Sequence, residues 1–162
     1  FKRFIQLRSK KSIWFLTVTC LAGLFLFFAA GEEISWGQRI FQIESSEFFK
    51  ENNAQGETNL HNLVVGGKKI NKIIFSIGLV AVMGIYLLIF PVLYHYKEGF
   101  RKFADKSAIP IPRLYQIITI LVVFGITEII RHGKRAELLE AGESLLVFLI
   151  ILFPLNKKIF EK

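Results

Sequence analysis

The sequence predicts an all-α integral membrane protein, built as a bundle of four transmembrane helices. Hydrophobic residues make up 52% of the 162 residues, and Phe alone occurs 17 times. The mean hydropathy is +0.45, which is higher than a soluble domain of this size usually carries. The Lys and Arg residues give a net charge of +8 but lie in short clusters beside apolar runs. That distribution is typical of membrane topology and argues against a nucleic-acid partner.

The four spans follow from the length of helix that a bilayer requires. Crossing about 30 Å of hydrocarbon at about 1.5 Å per residue takes roughly 20 helical residues. Residues 12–31 and 73–96 meet this length without any Asp, Glu, Lys or Arg. The third and fourth apolar runs reach it only if acidic residues enter near one end, which gives spans of about 113–132 and 137–156. The chain 1–162 is therefore predicted to be a single four-helix domain.

The distribution of basic residues orients these spans. The side that holds both termini and the loop between the second and third spans carries 13 of the 21 Lys and Arg residues, and the opposite side carries eight. Lys and Arg are enriched in cytoplasmic loops. We therefore expect both termini in the cytoplasm, and the outer loop over residues 32–72 at the opposite face of the membrane.

Two short interfacial helices are predicted within this outer loop. A Ser-Ser pair at 45–46 precedes the run Glu-Phe-Phe-Lys-Glu, which is the pattern of an N-capped helix. Its two Phe residues can lie in the membrane interface. A second short helix is expected over about residues 57–65, before a Gly-Gly pair.

Several polar residues of the outer face fall into pairs at helical spacing. Glu57 and His61 are four residues apart and share a face if that stretch is helical, and Glu140 and Glu143 are three apart. Carboxylates together with imidazole suit zinc, manganese or iron. These four residues are therefore candidate ligands of a divalent metal.

A metal-dependent membrane enzyme would use further groups around that metal. A metal-bound water could hydrolyse a lipid or lipid-linked substrate at the face of the membrane where the outer loop lies. Glu33 is the candidate general base, and Arg39 or Arg131 is the candidate for binding a substrate anion. Cys20 stands alone in the sequence, so neither a disulfide nor a Cys-based zinc site can form within one chain.

A structural interpretation accounts for the same residues without chemistry. Ionisable groups at membrane depth are costly unless they pair, face the bundle interior or bind a ligand. Glu33 would then neutralise Arg39, and Glu128 would neutralise Arg131 or Arg135. Transport or ion coupling is a further alternative, although four short helices leave little room for it unless the protein oligomerises.

Two stretches of the outer loop carry a resemblance to other proteins. They are Gly31–Phe41, GEEISWGQRIF, and Asn53–Asn62, NAQGETNLHN. With these motifs the chain resembles a group of small, uncharacterised bacterial multi-spanning membrane proteins. The resemblance implies a location in a bacterial inner membrane, which would place the outer loop at the periplasmic face, and it assigns no catalytic residue.

Two functions follow from these observations. The first is an accessory or structural subunit of a bacterial membrane protein assembly, which is favoured by the small size, the many Phe residues available for packing and the lack of a recognisable catalytic signature. The alternative is the metal-dependent membrane enzyme. The expected partners are the lipid bilayer and other membrane-protein subunits.

Overall fold

The computed structural model describes residues 2–65, 68–69, 78–130 and 135–161. Over this part the regular secondary structure is helical, apart from two strands of two residues each, and irregular segments connect these elements. It divides into two compact units, one formed by Thr19–Gly84 and the other by Lys2–Val18 with Ile85–Lys162. The prediction of a helical fold class is therefore confirmed.

Helix α2, Ile13–Glu33, follows the short helix α1, Lys2–Leu7. Its uninterrupted apolar sequence makes it the one helix in the described part of the chain that is by itself long and apolar enough to cross a membrane. Large side chains along it are exposed, including Phe25 and Phe27. The first predicted span, 12–31, is a helix in the structure.

The chain leaves α2 through a left-handed stretch of backbone. The φ angles of Ser35, Trp36 and Gly37 are +48°, +54° and +78°. Only glycine adopts this conformation without steric cost, so the other two residues each cost about 1–2 kcal/mol. Contacts elsewhere must hold these two residues in place. A 3₁₀ turn over Ser35–Gly37 leads directly into helix α3, Gln38–Phe41.

Helix α4, Glu47–Asn52, begins at the predicted place after the Ser-Ser pair. Ser46 has the extended backbone of an N-cap residue, with φ −63° and ψ 160°, although its side chain makes no capping hydrogen bond. The first short helix predicted for the outer loop is therefore present.

The second predicted short helix, over 57–65, is wrong. Turns and bends occupy most of this stretch, and β1, Val64–Val65, pairs with β2, Lys68–Lys69, in an antiparallel ribbon. The physical reason is that side chains accept backbone N–H groups that such a helix would use, because Glu32 accepts that of His61 and Asn59 accepts that of Asn62, at 3.1 and 3.2 Å. Such side-chain bonds compete with helical ones.

A long helical segment runs through residues 79–96. It consists of α5, Leu79–Gly84, a π-helical turn over Ile85–Ile89, and α6, Phe90–Tyr96. Helix α7, Glu98–Lys106, follows at an angle of 117°. The bend falls at Lys97, whose backbone is extended with φ −118° and ψ 103°.

Helices α8, Leu114–Ile129, and α9, Arg135–Leu152, pack against each other in the second unit. Gly142 lies at this contact, because a Cβ added there would come within 2.8 Å of a Val123 methyl group. Small residues of this kind let helix backbones approach closely. Helix α8 and the apolar part of α9 are shorter than a full span.

The described helices therefore occupy the four predicted apolar segments, of which 73–77 and 131–132 lie outside the described residues. The segment 80–96 passes the length and composition test for a span only together with α7, as a bent pair. Among the described residues, the structure establishes one helix of spanning length, or two if that bent pair is counted as one span.

Three segments predicted to share the cytoplasmic side contact one another within the second unit. Arg3 donates to the carbonyl of Leu152 at 3.2 Å, and the indole of Trp14 donates to the Ser107 hydroxyl at 3.0 Å. Asn156 accepts from the backbone N–H of Ile111 and donates to the carboxylate of Asp105 and to the carbonyl of Ile109. The chain start, the 97–113 loop and the chain end thus form one hydrogen-bonded cluster.

Candidate functional site

The two sequence motifs of the outer loop are hydrogen-bonded to each other through Glu32. This residue, at the end of α2, is only 5% exposed. Its Oε2 accepts the backbone N–H groups of Leu60 and His61 at 2.6 and 3.1 Å. Its Oε1 accepts the indole N–H of Trp36, one helical turn further on, at 2.9 Å. One buried carboxylate therefore connects the end of α2 to the second motif.

Glu57 forms a second connection between the motifs. Its carboxylate accepts from the Ser35 hydroxyl at 2.5 Å and from Arg39 Nε at 2.6 Å, and Arg39 Nη2 makes an ion pair with it. Burial alone would raise the pKa of Glu57, but the hydrogen bonds from Ser35 and Arg39 and the charges of Arg39 and His61 hold that pKa below its ordinary value. The bond to Ser35 helps to keep this residue in its left-handed conformation.

Amide side chains complete the connection. Asn59, only 1% exposed, donates to the Ser35 hydroxyl at 2.9 Å, and Asn53 donates to both oxygens of Asn59 at 2.9 Å. Gln38 accepts the backbone N–H of Thr58 at 2.8 Å and donates to the Ser45 hydroxyl at 2.6 Å. We call this set the loop network: Glu32, Ser35, Trp36, Gln38, Arg39, Ser45, Asn53, Glu57, Thr58 and Asn59.

Two of the predicted site residues, Arg39 and Glu57, are partners in this network. Glu57 is a predicted metal ligand, and Arg39 is a predicted binder of a substrate anion. Arg39 pairs with Glu57, whereas the structural interpretation of the sequence paired it with Glu33. Glu33, the predicted general base, is exposed.

His61, the second predicted metal ligand of the loop, lies next to the network. Its Nδ1 is 3.8 Å from Glu32 Oε2, and its Nε2 is 3.0 Å from the side-chain nitrogen of Asn62. Because the stretch around it is not helical, His61 and Glu57 do not share a helical face. The i,i+4 spacing that suggested a pair of ligands therefore has no structural basis.

The remaining predicted site residues belong to the second unit or are not described. Glu143 lies on α9 and is partly exposed. Arg131 and the side chains of Arg135 and Glu140 lie outside the described residues. This applies both to Arg131 as an anion binder and to Arg131 and Arg135 as predicted partners of Glu128. Their roles as metal ligand, anion binder and charge partners stay predictions.

Glu32 is the residue of this site that sequence reasoning missed. Glu32 and Glu33 are adjacent and chemically identical, so composition cannot separate them. Spacing cannot separate them either, because Trp36 follows Glu32 by four residues and Glu33 by three, and both spacings bring side chains to one helical face. The left-handed backbone at Ser35 and Trp36 decides that Glu32 receives the indole N–H.

The bonding pattern limits the chemistry available to the network. Among the residues that the structure describes, no group of three or more His, Cys, Asp or Glu side chains is placed to hold a metal ion. In that same part of the chain, every buried side-chain nitrogen and oxygen has a hydrogen-bond partner. Groups whose bonds are already made within the fold typically specify structure. The network is thus suited to holding the two motifs together.

In the part of the chain that the structure describes, fold and network together define a helical protein in which α2, of membrane-spanning length, is followed by an irregular loop closed by its own polar side chains. Comparison with protein-family models, with curated proteins and with solved structures found no match. Function is therefore inferred from the residues and contacts of this chain.

Proposed function

We propose that this chain is an accessory or structural subunit of a bacterial membrane protein assembly. The observation that carries the proposal is that both carboxylates of the loop network already have hydrogen-bond partners within the chain. Glu32 and Glu57 each accept hydrogen bonds from within the chain, so these two carboxylates are engaged in holding the fold. Large apolar side chains along α2 are left exposed for interaction.

A multi-pass topology with both termini in the cytoplasm is part of this proposal. It is supported by the cluster in the second unit, where Arg3 bonds to Leu152 and Asn156 bonds to Asp105 and Ile109. These segments carry most of the basic residues, and they must lie at one membrane face if four helices cross the bilayer. Their direct contact agrees with that requirement.

The exposed rings of α2 offer a packing surface for neighbouring helices. Phe25 and Phe27 are 68% and 64% exposed, although both lie within the helix of spanning length. Within a bilayer, helices associate through van der Waals packing and interhelical hydrogen bonds. These large exposed rings lie on two sides of α2 and fit contact with other subunits.

The test is recovery of the intact assembly under mild conditions. The chain is tagged at its C terminus, expressed at its natural level in the bacterium that encodes it and extracted with a mild detergent. We expect it to elute with other membrane chains at a fixed ratio, as measured by native mass spectrometry. Phe25→Ala should reduce that ratio, and the exposed Lys10→Ala outside α2 should leave it unchanged. A monodisperse monomer with intrinsic catalytic activity would contradict the proposal.

The metal-dependent enzyme keeps one supporting observation, the closeness of the His61 ring to the Glu32 carboxylate. Under this alternative, zinc, manganese or iron would act on a lipid or lipid-linked substrate at the periplasmic face. Elemental analysis of the purified protein separates the two functions. A near-stoichiometric metal that is lost in both Glu57→Gln and His61→Ala would favour the enzyme, and no metal in the folded parent protein would favour the subunit.

A further inference from the structure

The outer loop buries several polar side chains while it exposes large apolar ones. Ser35 and Asn59 are each 1% exposed, whereas Ile40 and Phe41 are 70% and 71% exposed. Charged side chains such as Glu44 and Glu47 are exposed as well. A contiguous group of large exposed apolar side chains marks an interaction site for protein or membrane. We call the exposed apolar side chains of this loop the apolar rim: Ile34, Trp36, Ile40, Phe41, Ile43 and Phe48.

The apolar rim is continuous with the surface of α2. The ring of Trp36 packs edge-on against Phe28 and Phe27, at centroid distances of 5.6 and 6.3 Å. The indole also lies against Gly31, where an added Cβ would meet its carbon atoms at 2.8 Å. Aromatic surface therefore extends from the spanning-length helix onto the loop, and whatever surrounds the end of α2 also meets Trp36.

The polar groups of the loop are satisfied in a way that permits an apolar environment. The indole N–H of Trp36 is bonded to Glu32, so the exposed part of the ring is apolar. The exposed charges of Arg39 and Lys50 are paired with Glu57 and Glu44. Irregular backbone is tolerated near hydrocarbon only where its polar groups have partners, and paired charges are less costly at that depth.

We propose that the apolar rim is a lipid-binding surface that lies at the boundary between headgroups and acyl chains, in the leaflet where α2 ends. Apolar faces at this boundary are buried by about 5–10 Å. The proposal rests on the membrane location in the proposed function. It makes the outer loop part of the membrane surface, held in shape by the loop network, and not a cap surrounded by water.

Fluorescence quenching tests the proposal, because the chain has only two Trp residues. The full chain is reconstituted into phosphatidylcholine vesicles whose acyl chains carry bromine either close to the headgroup or close to the chain end. Trp14→Phe leaves Trp36 as the only Trp, and Trp36→Phe leaves Trp14. We expect shallow bromine to quench Trp36 at least about twofold more strongly than deep bromine, as interfacial depth requires.

The two single-Trp variants separate the possible failures. Quenching of Trp14 without quenching of Trp36 would mean that water or a protein surface, a second copy included, covers the rim. That outcome overturns the lipid proposal and leaves the membrane subunit intact. Quenching of neither residue would overturn both.

A labelling experiment gives a second measurement that does not depend on Trp. Ile40 is 70% exposed and the side chain of Glu44 is 87% exposed, so the protein itself shields neither. In a Cys20→Ser background, Ile40→Cys and Glu44→Cys are treated with a water-soluble maleimide in vesicles. We expect Ile40→Cys to react with the maleimide at least about tenfold more slowly than Glu44→Cys, because hydrocarbon excludes the reagent. Equal rates at the two positions would overturn the proposal.

Discussion

Replacing Glu32 by Ala removes the acceptor of three hydrogen bonds at once. The backbone N–H groups of Leu60 and His61 and the indole N–H of Trp36 lose their partner. An unsatisfied buried donor costs about 1–3 kcal/mol, and the low end applies because Leu60 is 44% exposed and water can reach it. Three donors at about 1 kcal/mol each predict a loss of about 3 kcal/mol in the free energy of unfolding.

The assay is thermal unfolding of the Glu32→Ala variant in detergent micelles, followed through Trp36 in the Trp14→Phe background. For a chain of this length, about 3 kcal/mol corresponds to a decrease of about 6–12 °C in Tm. Glu33→Ala is the matched control, since Glu33 is the next residue of the same helix and is exposed. We expect it to change stability by less than about 0.5 kcal/mol. Equal decreases for the two variants would refute the assignment of Glu32 as the structural carboxylate.

Two further predictions concern the same loop. Because the pKa of Glu57 is lowered in the folded state, its contribution to stability is complete above the unfolded carboxyl pKa and is lost as the pH falls through the lowered folded value. The unfolding midpoint should therefore fall less with decreasing pH in Arg39→Gln than in the parent protein. An unchanged pH profile would show that the ion pair does not set the pKa of Glu57. Gly31→Ala should lower Tm and shift Trp36 emission because the new methyl group would meet the indole, whereas Gly84→Ala has nothing within 4 Å and should gain up to about 1 kcal/mol from helix propensity. Equal effects of the two glycine substitutions on Tm would contradict the packing of Trp36 on Gly31.

The helices were predictable because their signal is contained in continuous runs of sequence. Residues 12–31 are apolar throughout, and the structure places α2 there, at Ile13–Glu33. Helix α8 begins one residue after Arg113, where two prolines end the preceding loop. The bend at Lys97 gave no comparable signal, because Lys is common both within helices and at their ends.

The loop was less predictable because its conformation depends on bonds between residues distant in sequence. A short helix is predicted over residues 57–65, but the side chains of Glu32 and Asn59 accept the backbone N–H groups of His61 and Asn62 that this helix would use. The choice between Glu32 and Glu33 depends on the left-handed backbone at Ser35 and Trp36. No periodicity argument reveals positive φ at residues other than glycine.

The composition of the second motif has a physical explanation that needs no chemistry. An irregular segment beside a spanning helix has backbone N–H groups without helical partners, and each of them must find an acceptor. Side-chain oxygens are the acceptors here. Asn53 accepts the N–H groups of Gln55 and Glu57, and Gln38 accepts that of Thr58. Glu32 accepts the N–H groups of Leu60 and His61, and Asn59 accepts that of Asn62. The amide and carboxylate residues in these motifs are the types that such a backbone requires. A cluster of polar residues in a membrane chain therefore indicates a reactive site only where its acceptors are not already occupied by the fold.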